Sequence, residues 1–259
     1  MNNPKLPISV SIITKDNIRS IERALASVRE WAAEIVAVDS GSTDGTLDVL
    51  ERYADRVSFR EWPGFREQYQ YAQSLAENPW VFFIDADEEI PKELADEIRS
   101  LFGDGGPSCD GYIIHRKTFY LGRLIRHGGW YPDYEVRLYR KDKGRWEGGL
   151  HAKVTLEGKV GRMKQYLFHY SYKDISDQLR KVDLYSAVAA DDMAKGKRSP
   201  SLIGLFFSPP FRFVRDYFFK LGFLDGLPGL IIAVSTAYYV FIKHAKLWEL
   251  TCCPGGGES

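Results

Sequence analysis

The side chains best suited to chemistry stand at Asp85-Ala86-Asp87, where the apolar run Trp80-Val81-Phe82-Phe83-Ile84 meets two carboxylates one residue apart. A short unbroken apolar run predicts a strand covered on both faces, as in a parallel sheet. Asp85 and Asp87 then fall at its carboxyl end, where open α/β sheets take their ligands. Two neighbouring anions oppose each other's ionisation unless a cation lies between them. Hard oxygen donors of this type suit Mg2+ or Mn2+, held together with a phosphorylated substrate. The competing reading makes Asp85 a strand end and Asp87 the cap of a helix beginning near Pro91. A second centre is Asp133, beside Gly128-Gly129 and among Trp130, Tyr131 and Tyr134. A carboxylate sheltered by rings gains basicity, so Asp133 is the expected proton acceptor, with Glu135 as runner-up. If a strand begins at Tyr134 the two point the same way, and periodicity cannot separate them. A plain turn at Pro132-Asp133 is the alternative.

These groups need elements to hold them. Ile8–Thr14 reads as an opening strand, Ser20–Trp31 as a helix whose apolar positions Ile21, Leu25 and Val28 keep helical spacing, and Glu34–Asp39 as a second strand ending on a carboxylate. The loop Ser40–Thr46 precedes a helix reaching about Tyr53; a strand over 57–60, a helix over 65–77 and the strand at 80–85 follow. This βαβα order is right-handed and parallel and makes the nucleotide-binding half of a doubly wound sheet. The loop matches neither G-x-G-x-x-G nor a P-loop, so dinucleotide and ATP-hydrolysing fingerprints are absent. Asp44 is expected to cap the helix, and Asp39 at the strand end suits a nucleoside edge or ribose. From Asp110 to Tyr170 the pattern alternates as strands: 111–115, 135–140 and 154–156.

Ser176 begins an amphipathic helix ending near Gly196, and Lys195–Pro200 is the clearest boundary, which places domains at 1–195 and 196–250 with a disordered tail at 251–259. Past the boundary, Phe206, Phe207, Phe211, Phe213, Phe218 and Phe219 interleave with Arg212, Arg215 and Lys220. Residues 226–242 carry no charge. Seventeen residues is the short end for crossing a bilayer, and Pro228 and Gly229 weaken it further. A monotopic or re-entrant platform, with Tyr238, Tyr239 and Trp248 at headgroup level, is preferred to a buried helix.

With 259 residues the chain can bury one large α/β core and something smaller. Its 35 Lys+Arg and 35 Asp+Glu balance, so no nucleic-acid partner is expected. Cys109, Cys252 and Cys253 form neither a disulfide framework nor a metal-ligand spacing, which fits a reducing compartment. The opening MNNPKLPISV lacks a secretory leader pattern, so a cytoplasmic protein at the inner face of the cell membrane is expected.

The order T-K-D, V-D-S-G-S-T-D-G-T, W-P-G-F and I-D-A-D-E resembles the inverting family 2 glycosyltransferases of the GT-A fold. The later R-H-G-G-W-Y-P-D-Y-E-V-R-L-Y-R and A-Y-Y-V-F-I-K-H-A-K-L-W-E-L are similar to the branch that adds glucose to the inner-core heptose of lipopolysaccharide. The resemblance spans roughly residues 7 to 250. It implies a GT-A nucleotide-binding, mostly parallel sheet with a C-terminal helical membrane-associated extension. It implies a UDP-sugar donor, a lipid-linked saccharide acceptor, and donor contacts from Thr14, Asp16, Asp39 and Asp85. Asp16 stands where relatives have Asn. Asp87 would hold the divalent ion of the D-x-D motif, with His151 where many such enzymes place another ligand. Asp133 falls where relatives keep their base. Arg137, His169, His127 and Arg126 are candidates for diphosphate or acceptor contacts. Two rivals stay open: a polyprenyl phosphate acceptor, and a catalytically silent membrane-binding module that keeps a nucleotide pocket.

Overall fold

The computed structural model describes residues 4–103, 105–149 and 152–253, which divide into two compact units, Met1–Lys117 with Asp133–Tyr170 and Thr118–Pro132 with Ser171–Ser259. In the first unit β1 (Leu6–Thr14), α1 (Ile21–Arg29), β2 (Ala32–Asp39), α2 (Thr46–Tyr53), β3 (Arg56–Phe59), α3 (Phe65–Leu75) and β4 (Trp80–Phe83) follow one another. The strands lie in the order β3-β2-β1-β4, all parallel. The apolar runs are buried as their composition requires: β4 entirely, and β1 from Ile8 onward. Ile21, Leu25 and Val28 of α1 turn inward, and Trp31 meets Phe82 edge-on at 5.5 Å.

Beyond β4 the sheet changes direction. After β5 (Glu88–Glu89) and α4 (Lys92–Leu101), the strand β6 (Gly111–Tyr120) begins in the first unit, and β7 (Arg123–Leu124) follows in the second. Then β8 (Asp133–Arg140), β9 (Gly144–Glu147), β10 (Lys153–Leu156) and β11 (Val160–His169) complete the first unit. The order continues β4-β8-β6-β11-β5, with β8 antiparallel to both β4 and β6. This mixed α/β architecture is the GT-A fold.

The second unit is largely helical: α5 (Ile175–Lys195), α6 (Ser208–Val214) and α7 (Gly226–Cys252), with π-helical turns at Ile203–Phe207 and Arg215–Phe219. Asp174 caps α5, its Oδ1 accepting from Asp177 N at 2.8 Å. Gly222–Cys252 is long and apolar enough to cross a membrane by length and composition, and only 28% of its most apolar stretch is buried. The expected boundary at residue 195 differs from this division, in which Thr118–Pro132 and α5 fall in the same compact unit as α6 and α7. Helical spacing marked α5 as an element but held no information on its packing partner, and Lys246 Nζ of α7 reaches Asp183 Oδ1 of α5 at 2.6 Å. Thr251 and Cys252, expected in the tail, close α7; residues 254–259 lie outside the described residues.

Candidate active site

Two loops meet where β1 and β2 end. Thr14 finishes β1, and its Oγ1 accepts from Asn17 Nδ2 at 3.1 Å. Asp16, at φ 52°, accepts from Thr43 N at 2.8 Å and donates its own N–H to Ser42 Oγ at 2.8 Å. Asp39 is fully buried. Its Oδ2 accepts from Gly41 N (2.7 Å) and Ser42 N (2.9 Å), and Ser42 Oγ donates to its Oδ1. The left-handed φ of 88° at Gly41 folds the loop back onto that carboxylate. Asp44 accepts from Thr46 N and Ile18 N at 3.0 Å, which holds the start of α2 as a cap does. Thr14, Asp16 and Asp39 therefore share one loop cluster, with Asp39 as its internal anchor.

The end of β4 is different in kind. Asp85 Oδ2 accepts from Arg137 Nη2 at 2.8 Å and lies 3.4 Å from Arg116 Nη1, while Tyr69 OH stands 3.4 Å from Oδ1. Burial works against its ionisation, but Arg137 and then Arg116 outweigh it and hold its pKa below the ordinary value. Glu88, fully buried, is 2.6 Å from Arg137 Nη2 and 3.2 Å from Arg116 Nη1. Burial pushes it up to about 7 despite Arg137, with Asp85 adding to the rise. Asp87, a quarter exposed, lies 3.5 Å from His169 Nε2, and β5 pairs with β11 so that Glu88 faces His169. Burial opposes protonation of His169, yet Asp87 raises its pKa.

Strand β8 supplies the facing side. Alternation puts Asp133, Glu135 and Arg137 on one face. Register then sets Asp133 opposite Arg116 and Glu135 opposite Ile114. Arg116 Nε and Nη2 both converge on Asp133 Oδ2, at 2.8 and 2.6 Å. No hydrogen bond reaches Asp133 Oδ1 among the described residues. Glu135, by contrast, has both oxygens committed, Oε1 to Arg116 at 3.5 Å and Oε2 to Arg137 at 3.1 Å. The two carboxylates thus differ in their partners, Arg116 for Asp133 and both Arg116 and Arg137 for Glu135.

Several expectations change. The cation beside Asp85 is a guanidinium of the chain itself, because β8 delivers Arg137 across from β4. Arg137 is 2% exposed and engages three internal carboxylates, with its ring-facing side 5.2 Å from the Phe83 centroid. It acts as an internal counter-ion, and all three of these ion pairs use its Nη2. Tyr134 does not shelter Asp133; it turns to the opposite face, 4.7 Å from the His115 ring and under Arg162 at 3.9 Å. Trp130 is in the second unit, stacked 5.2 Å from Tyr172. His127 and Arg126 also lie there, their backbone N–H groups donating to Asp225 Oδ2 at 2.8 and 3.0 Å, and His127 Nδ1 is 3.2 Å from Asp225 Oδ1. His151 lies outside the described residues. Arg116 and Glu88 escaped the sequence reading: strand register brings Arg116 to Asp133, and a tight turn brings the Glu88 carboxylate back to Asp85 N at 2.9 Å. Their one local signal is a charged residue on an otherwise half-buried strand face.

Five carboxylates (Asp85, Asp87, Glu88, Asp133, Glu135) face two guanidiniums and His169, so the cluster keeps a negative excess. Among the described residues no three ligating side chains converge as a metal centre. The surplus of hard anionic oxygens nevertheless fits a divalent cation in donor chemistry.

The arrangement thus joins a self-satisfied loop at the ends of β1 and β2, the sequence Asp85-Ala86-Asp87 just past β4, and a carboxylate on β8 anchored by Arg116. The family model "Glycosyl transferase family 2" matches residues 9–155, and the chain belongs to that family. Along 95% of its length it is 32% identical to the lipopolysaccharide core biosynthesis glycosyltransferase LpsC of Rhizobium meliloti, of which it covers 93%. An uncharacterized glycosyltransferase of Rickettsia bellii is 30% identical over 94% of this chain and 87% of its own length. Among solved structures, TarS 1–349 of S. aureus in complex with UDP-GlcNAc aligns with 96% of this chain and 92% of its own at 16% identity and a TM-score of 0.48.

Proposed function

We propose that the enzyme moves a sugar, glucose by its similarity to the core-biosynthesis branch, from a UDP-sugar to a lipid-linked saccharide, the inner-core heptose of lipopolysaccharide, with inversion. The loop cluster of Thr14, Asp16 and Asp39 receives the nucleoside, with Asp85 at the ribose. Asp87, together with His151, would hold Mg2+ or Mn2+. When bound, that ion supplies counter-charge to the diphosphate as it leaves. Asp133 Oδ1 takes the proton of the acceptor hydroxyl while the acceptor oxygen attacks the anomeric carbon and the bond to UDP breaks. Arg116 keeps Asp133 in place through Oδ2 alone, so the base is tethered by one oxygen and works with the other. His169 lies 3.5 Å from Asp87, which favours its cationic form against burial, and there it tempers the negative charge that the arriving diphosphate meets. The helical unit lies against the inner face of the cell membrane, where the lipid-linked acceptor resides.

The observation that carries this reading is the asymmetry at Asp133, one oxygen bound twice by Arg116 and the other unbonded among the described residues. The test incubates the full chain with a panel of nucleotide sugars and with truncated core saccharides or polyprenyl phosphate, and reads product masses. A hexose added to a heptose-bearing acceptor from UDP-glucose is expected. Transfer to polyprenyl phosphate alone, or nucleotide binding with no donor consumed, overturns it.

A further inference from the structure

The second unit contains a groove that the transfer chemistry does not use. It has a volume of about 420 Å³ and runs between Pro209, Pro210 and Phe213 of α6 and Val234, Ala237 and Phe241 of α7. All six are apolar. Around it the chain leaves large apolar side chains in solvent: Leu202 is 73% exposed, Phe207 68%, Phe211 65% and Phe219 78%. A soluble surface rarely carries so continuous an apolar patch without a partner.

Charge identifies the partner. Residues 195–220 hold six Lys or Arg and one acidic residue, Asp216. Asp216 is buried, with Arg212 Nε and Arg215 Nη2 each 2.7 Å away, so it cancels nothing outside. Lys197, Arg198 and Lys220 have no carboxylate partner among the described residues. A second copy of the chain docking across this face would set these cations against themselves, which like-charge repulsion penalises. An anionic lipid surface instead complements both features, apolar chains for the groove and phosphates for the cations.

We infer that the helical unit binds the anionic phospholipids of a bilayer, one acyl chain entering the groove between α6 and α7 while Lys197, Arg198 and Lys220 meet the headgroup phosphates of the surrounding lipids. This site rests on the membrane part of the proposed function and gives it a lipid class and an address. The unit then lies along the interface, with α7 parallel to it, and the phenylalanines sink to acyl depth beside the occupied groove.

Flotation of the full chain with vesicles of phosphatidylcholine, with or without phosphatidylglycerol, tests the inference. Phosphatidylglycerol should tighten binding, and Lys197→Gln, Arg198→Gln and Lys220→Gln together should remove roughly a hundredfold of that gain, at the usual worth of a basic residue near an anionic surface. Ala237→Trp, which fills the groove, should weaken binding about tenfold even at fixed vesicle charge. Thermal melting checks that each variant is folded, and Val234→Trp serves as a second groove-filling variant if Ala237→Trp is not. A wild-type chain that floats with neither vesicle ends the membrane reading itself. Tight binding unchanged by the groove and cation variants ends only the lipid site. So does flotation that requires the lipid-linked saccharide in the vesicle, or a dimer in solution that Ala237→Trp breaks.

Discussion

Strand β2 ends on Asp39 and β4 is followed two residues on by Asp85, and the two aspartates are held in opposite ways. Asp39 accepts from backbone N–H groups and a hydroxyl of its own loop. Asp85 instead accepts from Arg137 and stands in a cluster of five carboxylates and two guanidiniums. Neutral donors three residues away make a rigid loop that tolerates no change of partner. Guanidiniums from distant strands make a charged assembly whose members answer to pH, to ions and to the loss of any one of them. The parallel half of the sheet is thus built from local satisfaction, and the antiparallel half contributes long-range charge.

The comparison breaks first at the chemistry. Asp133→Asn should lower kcat about a thousandfold, the usual scale for a lost general base, while Glu135→Gln costs much less. Equal losses in steady-state transfer would mean that the unbonded oxygen of Asp133 is not what matters. Asp87→Ala should also cost orders of magnitude in kcat, since counter-charge on a leaving diphosphate is worth several kcal/mol; normal turnover of UDP-glucose by that variant would remove Asp87 from the site.

Stability separates the two strand ends next. Arg137→Met strands Asp85, Glu88 and Glu135 without their shared counter-ion and should cost about 3–5 kcal/mol in urea unfolding. Asp39→Ala leaves loop N–H groups unsatisfied and should cost about 1–3 kcal/mol. The reverse ranking would mean that the charged half is not the more interdependent one.

The smallest effect is a pH dependence belonging to the charged half alone. Glu88 titrates at about 7 in the folded chain against an ordinary value of 4.5. The fold therefore favours its protonated form. That stabilisation is complete below about 4.5 and is lost as pH rises through about 7. His169, also raised, acts in the same direction, its contribution fading as pH climbs past its folded value. Melting temperature should decline across this window in the wild type, and Glu88→Gln should lose the part of the decline due to Glu88. Asp39→Asn should keep it whole.

Much of the parallel half could be read directly. The apolar runs of β1, β2 and β4, the helical spacing of α1 and the capping residues before α2 are local patterns, and local patterns report local conformation. The same holds for α5 and for the apolar, aromatic character of the last third. What escaped was everything set by register. Arg116 meets Asp133 only because β6 and β8 align residue 116 with residue 133, and a shift of one position would turn both side chains to the other face. Arg137 was open to a diphosphate or to neighbouring carboxylates as partners, and the pairing of β8 with β4 buries it among carboxylates. Tyr134 looked like a shield for Asp133, although alternation along one strand sends neighbours to opposite faces.

By itself the order of residues determined the elements, the family and the two aspartates that end the central strands, because each follows from spacing along a single stretch of chain. Only the tertiary structure decided which guanidinium anchors which carboxylate, and which arginine is a buried counter-ion. Those outcomes depend on ångström-scale approach between strands far apart in sequence, where Coulomb interaction and desolvation are steep functions of distance and burial.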